Sequence, residues 1–250
     1  MDTDFNDHFS EASDQYGQYR PTYPQELFDY LFTLSPSSDK AWDCATGSGQ
    51  SALPLSDYFT EVIATDASHN QIANTIKKGN IKYLVEKAEK TSLAPHSIDL
   101  VTVAQALHWF DLEKFSNEVM RVLKTRGVLA VWTYGLLEIN PAIDSVVKHL
   151  CNTTLGPYWP PERDMVDNAY RDIHFPLEEQ NPRILTMESH WTFNQLIGYL
   201  HTWSAVKRYH SETGIHPVDA LNKDLSTLWG DPQQAFLIQW PLTVKTWINP

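Results

Sequence analysis

Between residues 39 and 135 the chain alternates short apolar runs with amphipathic segments, and this alternation constrains the fold more than any other feature. The runs at 40–45, 61–65, 81–87, 98–104 and 128–133 are rich in β-branched and other apolar residues, the pattern of strands covered on both faces. Helical segments are expected between them at 51–59, 70–77 and 112–124, and in the last Phe115, Val119, Val122 and Leu123 share one face. Such an order predicts a parallel sheet with right-handed crossovers.

The flanks read differently. Residues 1–36 form an arm with an amphipathic segment at 24–34, joined through Tyr16-Gly-Gln-Tyr-Arg-Pro-Thr-Tyr-Pro, where Pro21 and Pro24 oppose continuous helix. After the sheet a helix is expected at 141–150, then a rigid Gly156-Pro-Tyr-Trp-Pro-Pro loop, with 140–181 as an inserted segment whose most irregular part is 157–181. Late strands at 184–191 and 235–247 are separated by helices near 193–209 and 217–228, and 1–250 is expected to be a single domain. Six of the nine tryptophans, Trp159, Trp191, Trp203, Trp229, Trp240 and Trp247, fall in this second part, most of them expected in the core and some free to line an organic pocket.

Charge removes one class of partner. The sum is 19 − 31 = −12, and no Lys/Arg run is longer than a pair such as Lys77-Lys78, so the electrostatic footprint of a nucleic-acid binder is missing. Two cysteines, Cys44 and Cys151, lack metal or redox spacing and are expected as reduced, buried thiols. The acidic N-terminus has no signal-peptide pattern and no apolar run is long enough to span a membrane, so a cytoplasmic protein without a membrane partner is expected.

The first strand runs into Asp43-Cys-Ala-Thr-Gly-Ser-Gly, an acid followed by a glycine turn that opens a helix. Gly47 and Gly49 allow the backbone to pass close to a ligand, and the helix N-terminus beyond favours partial negative charge. Read loosely, Gly47-x-Gly49-x-x-Ala52 also fits a dinucleotide fingerprint. Asp43 argues against that ligand, because a carboxylate beside the turn repels a pyrophosphate. It suits a molecule carrying an ammonium or a sulfonium, and S-adenosylmethionine carries both.

Asp66 ends the second strand at the separation where an acid meets a ribose hydroxyl pair; the alternative is a helix cap within Asp66-Ala67-Ser68. Ala88-Glu89 follows the third strand, where Glu89 or the Ala88 backbone could meet an adenine amino group, unless Glu89 is simply an exposed loop acid. Ala104-Gln105-Ala106-Leu107-His108-Trp109-Phe110 lies at the carboxyl edge where open α/β sheets bind ligands. The Asn/Asp-Pro-Pro-aromatic pattern of base-methylating enzymes is absent there. His108 has an ordinary pKa suited to proton transfer near neutrality, or else holds a lid; Trp109 stacks on a base or plugs the sheet edge. In the arm, Tyr16, Tyr19, Arg20 and Tyr23 could close over a cofactor, with Arg20 pairing a carboxylate. His201, Arg208, Tyr209 and His210 read as solvated helix positions, Trp203 as more than that. No His/Cys/Glu grouping has metal-ligand spacing, so no metal is expected, and no Gly-x-Ser-x-Gly elbow or Walker loop occurs.

Taken in order, these motifs resemble the class I S-adenosylmethionine-dependent methyltransferases, and within them the branch of trans-aconitate methyltransferases and related small-molecule enzymes. The resemblance covers nearly the whole chain and includes Tyr199-Leu-His-Thr-Trp-Ser. It implies an α/β, Rossmann-like, seven-stranded, mostly parallel sheet with an antiparallel last strand, helices on both faces, an N-terminal helical arm and an inserted segment. It implies S-adenosyl-L-methionine as cofactor, with Asp43, Gly47 and Gly49 on its methionine part, Asp66 on the ribose and Glu89 on the adenine side. Ala45, Thr46, Ala67, Ala88, Gln105, Ala106 and Trp109 are expected around the same ligand, with Tyr16, Tyr19 and Arg20 over it. Ala45 stands where many relatives carry glycine; an ordinary backbone there is expected to lose little, whereas a positive φ would matter.

Methyl transfer from a sulfonium is an in-line displacement with an activated leaving group, so the protein mainly supplies alignment, which contributes about 7–11 kcal/mol. A carboxylate nucleophile needs no base; for a hydroxyl, His108 is the candidate. Arg20, Arg163 and Arg208 are candidates to hold an anionic acceptor. The reading is therefore a methyltransferase acting on an oxygen of a small organic acceptor, with a catalytically silent S-adenosylmethionine- or nucleoside-binding regulator as the alternative. A nicotinamide-dependent oxidoreductase is a third reading, disfavoured by Asp43.

Overall fold

Residues 21–250 are described by the structure, a computed structural model. The elements run α1 (Gln25–Leu34), β1 (Lys40–Cys44), α2 (Ala52–Leu55), β2 (Glu61–Asp66), α3 (His69–Ala73), β3 (Ile81–Val85), β4 (Ile98–Ala104), α4 (Leu112–Val122) and β5 (Leu123–Tyr134). They continue with α5 (Pro141–His149), α6 (Arg163–Asp167), β6 (Glu178–Glu179), β7 (Arg183–Trp191), α7 (Phe193–His201), α8 (Ser204–Thr213), α9 (Pro217–Trp229) and β8 (Phe236–Ile248).

The sheet order is β3-β2-β1-β4-β5-β8, and β1 to β5 pair in parallel. β8 is antiparallel to β5, with Val128 opposite Ile248 and Tyr134 opposite Leu242. β6 and β7 both pair with β8, Glu178 facing Ile248 and Trp191 facing Phe236. They occupy one sheet position in two pieces, so eight strands fill seven places and β8, the last in the chain, is the antiparallel one. This is the mixed α/β architecture expected of the sequence. Alternate residues of each strand serve opposite faces. Ala41, Val62, Ala64, Leu100 and Ala130 pack with Leu27, Phe28 and Leu31 of α1. Trp42, Ile63, Val101, Val103 and Val131 pack with Phe115, Val119 and Val122 of α4 on the other face.

Several boundaries differ from expectation for local reasons. The helix expected at 51–59 is α-helical only over α2, because Pro54 brings no N–H and the chain tightens through Asp57 N–H to Pro54 O and Tyr58 N–H to Leu55 O. The 70–77 segment ends at Ala73, ahead of Asn74, and the Thr75 hydroxyl turns back to Ile72 O. β5 begins at Leu123, directly after α4, with a register shift and Arg126 at φ +64° between its two parts. The 193–209 helix is two helices, α7 and α8, broken where Trp203 is extended at ψ 130°. Most late tryptophans are core as expected: Trp191, Trp229, Trp240 and Trp247 are buried.

Topology places two segments above one sheet edge. β5 ends at Tyr134, and residues 135–182 leave from the carboxyl edge of the parallel strands. β7 runs antiparallel to β8 and so in the sense of β5; residues 192–235, carrying α7 to α9, therefore leave from and return to that same edge. The two segments meet through Tyr158 on Tyr209, at 4.9 Å between rings, and Trp159 on Trp203, at 5.7 Å.

Candidate active site

The turn after β1 has a backbone that only part of its sequence suits. Ala45, Gly47 and Gly49 take φ of +54°, +57° and +88°. Glycine meets no penalty there. At Gly49 a Cβ would stand 2.7 Å from Tyr83 Oη, whereas at Gly47 it would meet nothing among the described residues closer than 4.0 Å. Ala45 does not have the ordinary backbone expected of it. A left-handed alanine costs about 1–2 kcal/mol, and Ala45→Gly recovers that less the added chain entropy of glycine, about 0.5–1 kcal/mol. The expected net gain is about 0.5–1 kcal/mol, read as a melting temperature higher by roughly 2–3 °C; a lower one would show that the Cβ packs usefully.

Two carboxylates flank this turn. Asp43 is buried and accepts hydrogen bonds from Thr46 Oγ1 at 2.5 Å and Thr102 Oγ1 at 2.7 Å. Burial raises its pKa to about 6, against the lowering by the two threonines, and Asp66 raises it further. Among the described residues, none of the groups that shift it is a cation. Asp66 accepts from the Gly47 N–H at 2.9 Å and from the Ser68 N–H at 2.8 Å. Ser68, not Asp66, caps α3 by accepting from the Gln71 N–H.

At the end of β4 the chain turns sharply: Gln105 takes φ +53°, its N–H bonds Trp132 O, and its side chain accepts from Thr133 Oγ1. A short 3-10 turn, Leu107–Trp109, then presents His108. His108 Nδ1 lies 2.9 Å from Tyr170 Oη, the two rings stacked at 6.2 Å. The near-neutral pKa expected for His108 is not found: burial, and then the charge of Arg163, lower it to about 4, so the imidazole is neutral at pH 7. Burial likewise holds Tyr170 in its protonated form, with a pKa well above the usual phenol value.

Tyr170 itself had no sequence signal. It and Ala169 are non-glycine residues at φ +54° and +51°. The buried Lys245 ammonium of β8 donates to the carbonyls of Tyr170 at 3.1 Å, Arg171 at 3.3 Å and Ile173 at 3.2 Å, and pairs with Glu179 at 3.0 Å. Residues 62 and 75 positions apart along the chain thus fix the His108 ring.

The remaining expected residues divide. Ala67 follows Asp66, and Gln105 and Ala106 line the β4 edge between Asp43's strand and His108. Ala88 is buried, while Glu89 accepts the Asp111 N–H at 3.0 Å and so supports the start of α4. Trp109 is half-exposed beside His108, ring centres 4.6 Å apart. Arg163 stacks over Trp159 at 4.3 Å and pairs with Asp167 at 2.7 Å, whereas Arg208 is exposed. Tyr16, Tyr19 and Arg20 lie outside the described residues; Tyr23 packs edge-on against Trp132 at 5.5 Å. No helix among the described residues is long and apolar enough to cross a membrane.

Comparisons with known proteins agree with this arrangement. Residues 42–131, the span from β1 to β5 that holds both carboxylates and His108, match a family model described as a methyltransferase domain. A protein of Dictyostelium discoideum named as a methyltransferase is 37% identical over 227 residues, covering 89% of this chain and 83% of its own. A Saccharomyces cerevisiae protein named as an S-adenosylmethionine-dependent methyltransferase is 30% identical over 52% of this chain, which spans about half (47%) of that relative. A solved structure from Anaeromyxobacter dehalogenans, described by name as a type II methyltransferase, superposes with a TM-score of 0.87 at 38% identity, over 92% of this chain and 98% of that one.

Proposed function

This chain belongs to the class I S-adenosylmethionine-dependent methyltransferases, and from that premise we propose that it methylates an oxygen of a small organic acceptor, a carboxylate in preference to a hydroxyl. The roof carries the proposal: two segments, 135–182 and 192–235, rise from the carboxyl edge and meet through paired aromatic rings. An aromatic roof suits an organic molecule of limited size better than a polymer.

The residues present fit the cofactor. The buried Asp43 carboxylate, desolvated and shifted by no cation among the described residues, suits a ligand that brings positive charge. Among the described residues Gly47 leaves space for close approach, and Asp66 ends β2, the position at which an acid meets ribose hydroxyls. Ala45 and Thr46 belong to the same turn, while Ala67, Ala88, Glu89, Gln105, Ala106 and Trp109 are assigned to its nucleoside side, as they follow β2, β3 and β4. When bound, S-adenosylmethionine supplies a methyl group already activated on sulfur.

His108 decides between acceptor oxygens. A base with a pKa near 4 is poorly matched to a hydroxyl, whereas a carboxylate needs no base and gains from a neutral hydrogen-bonding imidazole beside it. Arg163, whose charge reaches His108, is the cation proposed to hold an anionic acceptor. The test is turnover of S-adenosylmethionine against a library of small carboxylic acids, phenols, alcohols and amines, scored by S-adenosylhomocysteine and product mass. Carboxylate methylation is expected, with a rate nearly flat from pH 6 to 9. Transfer to nitrogen alone, or a rate rising about ten-fold per pH unit as for a titrating hydroxyl, would sink it. Tight cofactor binding with no turnover on any acceptor would favour the silent regulator.

A further inference from the structure

We propose that His201, His216 and Asp219 form a site for a borderline divalent cation of the zinc class, which ties together the helices of the roof. His201 closes α7, and His216 is the cap residue before α9, whose first turn holds Asp219. His201 Nδ1 lies 3.1 Å from His216 Nε2, His201 Nε2 lies 3.4 Å from Asp219 Oδ1, and His216 Nδ1 lies 3.9 Å from Asp219 Oδ2. Ligand atoms around a tetrahedral zinc, with bonds of about 2.0–2.1 Å, stand about 3.3 Å apart; each histidine offers an ion one nitrogen, so side-chain rotations that close the set onto that spacing are part of the proposal. One atom from each of the three residues is available within 4.8 Å of the others.

Counting protons shows what the cluster lacks. Each neutral imidazole carries one N–H. If His216 Nε2 donates to His201 Nδ1, then His201 Nε2 donates to Asp219, and the buried His216 Nδ1 is left without a hydrogen-bond partner. If His201 Nδ1 donates instead, His201 Nε2 points a lone pair at the Asp219 carboxylate. Either way a lone pair faces an anion, and a cation resolves the conflict. Two imidazoles and one carboxylate select zinc-class ions over magnesium or calcium. Asp219 is largely exposed, giving the ion a path from solvent and water a place to complete the coordination.

Sequence spacing concealed this set, because His201 and His216 are brought together only by the turn between α8 and α9. The site is independent of the methyl-transfer reading. Tag-free full-length protein, stripped with EDTA, is titrated with zinc chloride alone by calorimetry and separately with cobalt chloride by visible absorption. The expected result is one ion per chain, the intense d–d bands of four-coordinate cobalt, and a higher melting temperature with zinc. His201→Gln and Asp219→Asn are each expected to weaken zinc at least about ten-fold, with His174→Ala, on a distant loop, leaving it unchanged. No stoichiometric uptake tighter than about 0.1 mM, or uptake that survives both His201→Gln and Asp219→Asn, would overturn the site.

Discussion

Replacing Asp43 with asparagine is expected to abolish cofactor binding while making the ligand-free protein more stable above pH 6. Asp43 has a folded pKa of about 6 against its ordinary value of 3.8, with burial as the main cause. A carboxylate whose folded value is raised contributes stability that is full below pH 3.8 and is lost as pH rises through 6. Above that window the native state carries a penalty: the gap from 3.8 to about 6, at about 1.4 kcal/mol per pH unit, gives roughly 3 kcal/mol. Asparagine keeps the volume and can still accept from one of Thr46 and Thr102, so the variant removes the penalty without opening a cavity. His108 has the opposite sign. Its folded value of about 4 lies below 6.5, so its contribution is present above pH 6.5 and lost as pH falls through 4. In the wild type the two slopes oppose each other from about pH 4 to 6; in Asp43→Asn only the His108 slope remains, and stability is expected to climb through that interval. Melting temperatures from pH 4 to 9, with calorimetry of S-adenosylmethionine binding, check both halves. Affinity is expected to fall at least about 100-fold, the loss of a desolvated charge partner. Unchanged affinity, or a stability gain as large at pH 4 as at pH 8, would sink the assignment.

The trade in Asp43 also explains which parts of the site could be read from the sequence. Asp43, Thr46, Gly47, Gly49 and Asp66 owe their proximity to one strand–turn–helix and its neighbouring strand, so local order is enough to place them. The strands read well for a similar reason: β4 is buried along almost its whole length, so burial on both faces leaves a continuous apolar run with clear ends. What escaped depends on backbone angles or on distant residues. The left-handed φ of Ala45 leaves no trace in an alanine. Tyr170 meets His108 across 62 positions, and the depressed His108 pKa follows from burial under segments whose packing no period in the sequence announces. The short α2 and α3 show the converse error, where amphipathic spacing ran past the point at which proline or a threonine hydroxyl claimed the backbone.

Lys245→Met is expected to lower stability substantially, and to change His108 without touching it. The ammonium shares its three N–H donors among three carbonyls and Glu179, in a position where its side chain is 4% exposed. Those carbonyls belong to the stretch that begins with two left-handed non-glycine residues, Ala169 and Tyr170. Each such residue costs about 1–2 kcal/mol, a strain the chain tolerates because Lys245 gathers the carbonyls that follow. Methionine fills most of the volume but leaves the carbonyls without that donor and Glu179 without that partner. Breaking a fully buried pair costs about 3–5 kcal/mol; Glu179 is one-third exposed, so a loss of about 2–3 kcal/mol is expected, or roughly 5–10 °C in melting temperature. The second readout separates a positioning role from mere loss of stability. If Lys245 holds Tyr170 against His108, release of that stretch readmits water to the imidazole, and the His108 pKa rises from about 4 toward its ordinary value of 6.5. Proton resonances of His108, titrated in the wild type and the variant at a temperature where both are folded, measure this directly. A destabilised variant with an unmoved His108 would reduce Lys245 to a structural cation; one that melts with the wild type would remove even that.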